Sequence, residues 1–98
     1  MITHVVMFRW KPEITEADRA AISAALDTLP AAVPSIRTYV HGPDVGASTA
    51  ANYDYAIAAT FDDVDGWRAY DTHPTHDDVR ATVIRPWIAE RAAVQFGA

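Results

Sequence analysis

Ile2-Thr3-His4-Val5-Val6-Met7-Phe8-Arg9-Trp10 reads as a β-strand, and its two faces decide the fold. Successive side chains in a strand point to opposite sides. Ile2, His4, Val6, Phe8 and Trp10 therefore share one face, and Thr3, Val5, Met7 and Arg9 share the other. Neither face is polar, because Val5 and Met7 stand opposite Val6 and Phe8. An antiparallel sheet with one wet face would alternate apolar with polar residues. Both faces of this strand therefore expect a cover.

Pro12 ends the strand, and the period changes downstream. Thr15 is placed as a helix N-cap, with Glu16 and Asp18 in the first turn. Ile22, Ala25, Leu26 and Leu29 follow at helical spacing until Pro30 and Pro34 close the element. Ser35 to His41 reads as a second strand, Gly42 to Asn52 as a turn-rich loop, and Tyr53 to Phe61 as a third strand. Asp62 or Asp63 caps a short helix carrying Val64 and Trp67. A further helix follows Pro74, with His76, Val79, Val83 and Trp87 along one stripe and Pro86 disturbing its end. Ala92 to Phe96 is the last strand. The order is βαββ(αα)β. It predicts an α+β, ferredoxin-like domain with a four-stranded antiparallel sheet and helices on one face. Helices cover only one side, so the Val5 and Met7 side is expected to pack on a second copy. The result would be a homodimeric α+β barrel, since small domains bury little surface alone and large apolar patches are uncommon on monomers.

At 98 residues the chain forms a single domain, 1–98. The net charge of −5 and the lack of any Lys/Arg cluster argue against a nucleic-acid partner. With no cysteine there is no disulfide, thiol nucleophile or thiolate metal site. No apolar run approaches a membrane span, and the N-terminus enters a strand at once rather than through a signal-peptide pattern. The expectation is a cytoplasmic protein with no membrane partner.

The candidate chemistry lies in Tyr70-Asp71-Thr72-His73-Pro74-Thr75-His76, read together with His4. Imidazole changes charge nearest neutral pH. Apolar surroundings and a neighbouring ring can separate two histidines into an acid and a base. His76 lies on the apolar helical stripe and His4 on the apolar strand face, where desolvation keeps an imidazole neutral. His73 is placed in the turn as a structural residue, its ring bonding to backbone. No metal is expected: His73 and His76, even with Asp77 and Asp78 beside them, lack the further ligand a closed site needs.

These residues resemble the stress-responsive A/B-barrel (Dabb) domain family. The resemblance is carried by Met1-Ile2-Thr3-His4-Val5-Val6-Met7-Phe8, Ile14-Thr15-Glu16, Tyr53 through Phe61, and the Tyr70 to His76 run, across essentially the whole chain. The family is similar to other dimeric α+β barrels. Some plant members cyclise linear polyketides by intramolecular aldol chemistry without a cofactor, in a cavity between sheet and helices. The resemblance therefore implies His4 and His76 as an acid–base pair, Tyr70 as helper, and Trp87 as an aromatic on the cavity wall. Val6, Phe8, Leu26, Ile57, Val79 and Val83 complete the expected apolar lining for a small hydrophobic carbonyl or phenolic ligand. One departure stands out. The cyclising members carry bulky aromatics along the first helix, whereas Ala21-Ile22-Ser23-Ala24-Ala25-Leu26 has none, and Leu26 stands where a phenol is expected. Pocket shape selects substrate more than fold does. Polyketide cyclase-like catalysis, a cofactor-independent monooxygenase-like enzyme and a non-enzymatic stress-associated ligand-binding protein all remain open at this level. All three use the same cavity.

Overall fold

The computed structural model describes residues 1–97. Strand β1 (Ile2–Trp10) is central, between β3 (Tyr55–Phe61) and β4 (Ile88–Gly97), and β2 (Thr38–Pro43) pairs on the outer side of β3. The sheet order is β2-β3-β1-β4, and every pair is antiparallel. The arrangement is the ferredoxin-like α+β fold expected from the order of elements. Among the described residues no helix is long and apolar enough to cross a membrane.

The register turns one set of strand residues inward. His4, Val6 and Phe8 pair with Ala59, Ile57 and Tyr55, and Ile2 pairs with Phe61. Helix α1 (Glu16–Asp27) lays Ile22 and Leu26 on this face, and Leu29 and Val33 follow from the next turns. Phe61, Ile22, Leu26, Leu29 and Val33 are fully buried. Thr15 starts α1 as its sequence suggests: its hydroxyl accepts from the Asp18 amide at 3.1 Å, and the Asp18 carboxylate accepts from the Thr15 amide at 2.9 Å. This reciprocal cap satisfies two backbone donors that a helix start leaves orphaned.

Several boundaries differ from expectation. Pro30 does not close α1 but sits in the first turn of a separate short helix, α2 (Leu29–Ala32), where a missing N–H costs nothing. Strand β2 begins at Thr38 rather than Ser35, because Val33 to Ile36 closes a turn and pairing with Thr60 starts only beyond it. It runs on to Pro43, which an edge strand tolerates. Strand β3 starts at Tyr55, since Asp54 instead donates its amide to Phe8 and accepts the Trp10 amide on its carboxylate. Helix α3 (Val64–Asp71) is capped by Asp63, whose carboxylate accepts from the Gly66 amide. The helix after Pro74 is not continuous. Regular α4 (Pro74–Val79) gives way to a π turn over Arg80–Ile84 and a 3-10 turn over Arg85–Trp87, before β4 opens at Ile88, four residues earlier than expected. Pro86 has no N–H to continue the ladder.

The outward face of the sheet carries Val5 and Met7, with Ala56 and Ala58 beside them by register. On the same side lie Val40, paired with Ala58, and Val94, paired with Val5. No helix covers it. Val40, Val94 and Phe96 are 64%, 56% and 48% exposed, so this is a flat apolar surface rather than a core.

Candidate functional site

A cavity of about 260 Å³ lies between the inward face of the sheet and the helices. Strand β1 supplies His4, Val6 and Phe8 to its floor, β3 supplies Ile57, and α1 supplies Leu26. Tyr70 comes from the end of α3 and His76 from α4. All three titratable residues singled out from the sequence thus meet on one space, with four of the expected apolar residues around them.

The turn between α3 and α4 sets the geometry of Tyr70 and His76. His73 is the N-cap of α4: its Nδ1 accepts the Thr75 amide at 3.1 Å, and Pro74 presets the first turn. This is the ring-to-backbone role expected of it. The turn folds His76 back onto Tyr70, and the two rings stack with centroids 4.0 Å apart and planes 27° from parallel. His76 Nδ1 lies 3.3 Å from the Asp71 carbonyl oxygen. A carbonyl only accepts, so Nδ1 carries the hydrogen, and neutral His76 has its lone pair on Nε2. Burial lowers the His76 pKa, with the Arg80 charge adding to the effect and the Asp71 carbonyl opposing it. The ring is therefore a neutral base near pH 7.

His4 is buried on β1, its ring 6.5 Å from that of Tyr70 and 6.0 Å from that of Trp67. Its Nδ1 is 3.1 Å from the Gln95 amide nitrogen, brought opposite by the β1–β4 register. A neutral His4 that accepts there carries its proton on Nε2, the opposite tautomer to His76. Burial is the main cause of its lowered pKa, followed by the positive charge of Arg91. Tyr70 is a protonated phenol for the same reason: burial raises its pKa, and its hydroxyl lies 2.9 Å from that of Tyr39, whose own pKa is pushed up strongly. The site holds one imidazole with a free lone pair, one with a hydrogen to give, and a phenol between them.

The remaining expected lining residues lie elsewhere. Val79 is buried in the core, and Val83 and Trp87 pack against it from outside, so none of the three borders the cavity. For Val83 and Trp87, which follow the regular part of the helix, the reason is the π turn. A stripe drawn at 3.6 residues per turn passes through Val83 and Trp87, but the wider turn advances the chain by five residues between bonded groups, from Arg80 to Arg85. Arg80, Ile84, Arg85 and Ile88 form that wall instead. Asp71 and Arg91 complete the lining. Of these six, Asp71 lies in the Tyr70 to His76 run, and the other five were not singled out from the sequence. For Arg91 and Gln95 the signal was their spacing: they alternate with Ala93 on β4, facing Phe8, His4 and Val6 in turn. His41 is not part of the cavity. Its Nε2 bonds the Asp27 carboxylate at 2.7 Å and its Nδ1 the Tyr55 hydroxyl at 2.6 Å, which in turn meets the Ser23 hydroxyl at 2.9 Å. The chain of bonds pins β2 to α1.

The fold is a ferredoxin-like α+β domain with a cavity between its sheet and helices, lined by His4, Tyr70 and His76. The chain belongs to the stress responsive A/B barrel domain family, whose profile matches residues 2–98. The chain is similar in structure to a dimeric ferredoxin-like protein of unknown function from Thermobifida fusca, with TM-score 0.91, 41% identity, and coverage of 99% of this chain and 90% of that one. A dimeric ferredoxin-like protein from Bacteroides fragilis gives TM-score 0.83 at 22% identity, covering 99% of this chain and 95% of that one. A hydroxynitrile lyase from Passiflora edulis gives TM-score 0.84 at 19% identity, covering 97% and 90%. These last two show the fold alone. No curated protein matches the chain.

Proposed function

We propose that this protein is a homodimer in which each protomer holds a small apolar carbonyl or phenolic compound between sheet and helices and moves a proton on it. The observation that carries the reading is that two histidines on one cavity have their Nδ1 atoms against opposite kinds of partner, His76 against the Asp71 carbonyl oxygen and His4 against the Gln95 amide nitrogen. His76 Nε2 takes a proton from the carbon next to a carbonyl, and the electron pair of that C–H bond moves toward the carbonyl oxygen. His4, through its Nε2 hydrogen, and Tyr70, with its hydroxyl backed by Tyr39, donate to the oxygen as it becomes negative. Returning the proton from His76 to carbon completes an isomerisation. In an aldol step the enolate carbon adds instead to a second carbonyl of the same compound, the C=O electron pair moves onto its oxygen, and that alkoxide takes the proton back from His76. The side chains suffice for such a step. The Passiflora neighbour, a hydroxynitrile lyase by description, supports an enzyme on this fold.

The dimer is supported by the uncovered apolar face around Val5, Met7, Val40, Val94 and Phe96, and by the dimeric state of the Thermobifida relative at 41% identity. On this reading the cavity and the interface lie on opposite sides of the same strand.

The test is a thermal-shift screen of polyketide-like, phenolic and quinone compounds against wild type and His76→Ala. At least one class should raise the melting temperature of wild type more than that of the variant. With that compound's reactive relative as substrate, His76→Ala should lower turnover by ~10²–10⁴. The same substitution should cost only about 1–2 kcal/mol of stability, since it removes modest packing and one hydrogen bond. A ligand that stabilises both proteins equally removes His76 from the site. A screen with no ligand sinks the binding reading altogether.

A further inference from the structure

The chain carries a net charge of −5 and only eight lysines and arginines, yet three of those cations, Arg80, Arg85 and Arg91, line the cavity that holds His4 and His76. They are not equivalent. Arg80 is neutralised locally by Asp71, 3.2 Å away, and by Asp77. The guanidinium groups of Arg85 and Arg91 have no hydrogen-bond or ion-pair partner among the described residues. Arg91 has an acid next to it in sequence, but strand alternation turns Glu90 to the opposite face, where it binds Arg9 at 2.9 Å. Only Asp71 supplies a negative charge to the lining, and it is already committed to Arg80. An acidic protein that leaves two arginines unpaired on a cavity wall holds a local positive field there.

From this we infer that the ligand is a small apolar acid, its carboxylate held by Arg85 and Arg91 and its body against Val6, Phe8, Leu26 and Ile57. The inference rests on the cavity being a ligand site, and it names the class of compound that the site takes. A planar guanidinium matches a carboxylate through paired N–H···O bonds, and such bonds are about twice as strong as neutral ones. The cavity, about 260 Å³, is below the ~300–1,000 Å³ of drug-sized sites, so a single ring or a short chain fills it. The field also reaches the acid–base groups: the Arg91 charge acts on both His4 and Tyr70. A bound anion screens it, so His4 becomes a stronger base when the site is filled by an acid.

The experiment compares 4-phenylbutyrate with its uncharged isostere 4-phenylbutyramide by calorimetry, on the full chain and on the variant carrying R85Q and R91Q. Both residues are exposed, so the variant should fold, and its circular dichroism melt verifies this. Wild type should bind the acid about tenfold more tightly than the amide at low salt, with the preference shrinking as salt rises. In the variant the two probes should bind alike, the acid having lost the contacts that set it apart from the amide. In wild type the acid, and not the amide, should raise the midpoint of the His4 ring titration followed by NMR. Equal affinity of acid and amide for wild type overturns the inference while leaving the cavity a ligand site. A preference that survives in the variant also overturns it. If neither probe binds, the inference falls, and the cavity reading falls with it only if the broader screen also finds no ligand.

Discussion

On one side of β1, Val6, Phe8 and Trp10 are at most 9% exposed, beneath α1 and the turns that follow it. One residue out of step, Val5 and Met7 face a surface on which Val40, Val94 and Phe96 stay about half exposed or more. Both sides carry apolar residues along β1, and they differ in what covers them. The inward side is closed by the chain's own helices, except where the cavity is left open beside His4. Among the described residues no helix covers the outward side. Apolar composition thus reports that a surface leaves water, and the position of the helices reports whether the chain or a partner excludes the water.

The comparison breaks most sharply at Met7. Met7→Asp should abolish dimerisation, because an unpaired buried charge costs ~3–5 kcal/mol and a two-fold interface contains it twice. Sedimentation at micromolar concentration should show wild-type dimer and a folded variant monomer. A wild-type monomer under the same conditions would end the argument that the outward face is an interface. Phe61 sharpens the other side. Phe61→Ala should cost ~3–5 kcal/mol in urea unfolding, since the ring is fully buried and its neighbours only partly fill the space. Val94→Ala, on the outward face, should weaken the dimer while changing the stability of the isolated protomer by no more than ~0.5 kcal/mol. Equal costs at Phe61 and Val94 in the monomer would mean that the two faces are not distinct. The smallest effect is with pH. His4 and His76 have lowered pKa values in the folded state, so the unfolded chain binds more protons as pH falls. The stability they protect is complete above the ordinary histidine pKa near ~6.5 and is lost as pH drops through the folded values. Melting temperature should therefore fall on mild acidification, and His76→Gln should flatten the fall. A wild-type profile flat between neutral pH and the carboxylate range would contradict the burial of these rings.

Much of this was legible in the chain, for local reasons. Period two in Ile2–Trp10 and the Thr15 cap with Asp18 depend only on neighbours in sequence, and the structure has both. The meeting of His4, Tyr70 and His76 came from the resemblance and from the faces that each shares. Edges were less legible. Pro43 reads as loop but lies in β2, because that strand is an edge and loses nothing by lacking an N–H. The arginine wall was legible only at Arg91, through its alternation with Ala93 and Gln95 along β4. Arg91 reaches the cavity only because it pairs across from Phe8, and Gln95 reaches His4 by the same register, which links residues more than 80 apart. Val83 and Trp87 were misplaced because extrapolation assumed a regular helix through Arg80–Ile84.

That π turn amounts to one surplus residue in a helical stretch, absorbed in a single wide loop of backbone. Gaining or losing such a residue in a lineage re-indexes the following side chains around the helix axis while leaving the sheet untouched. His4 is anchored in β1 and Tyr70 in α3, both upstream of the slip, and His76 precedes it. Arg80, Ile84 and Arg85 lie within or just after it. A single indel there would therefore change which of the residues after Val79 border the cavity, and leave His4, Tyr70 and His76 where they are.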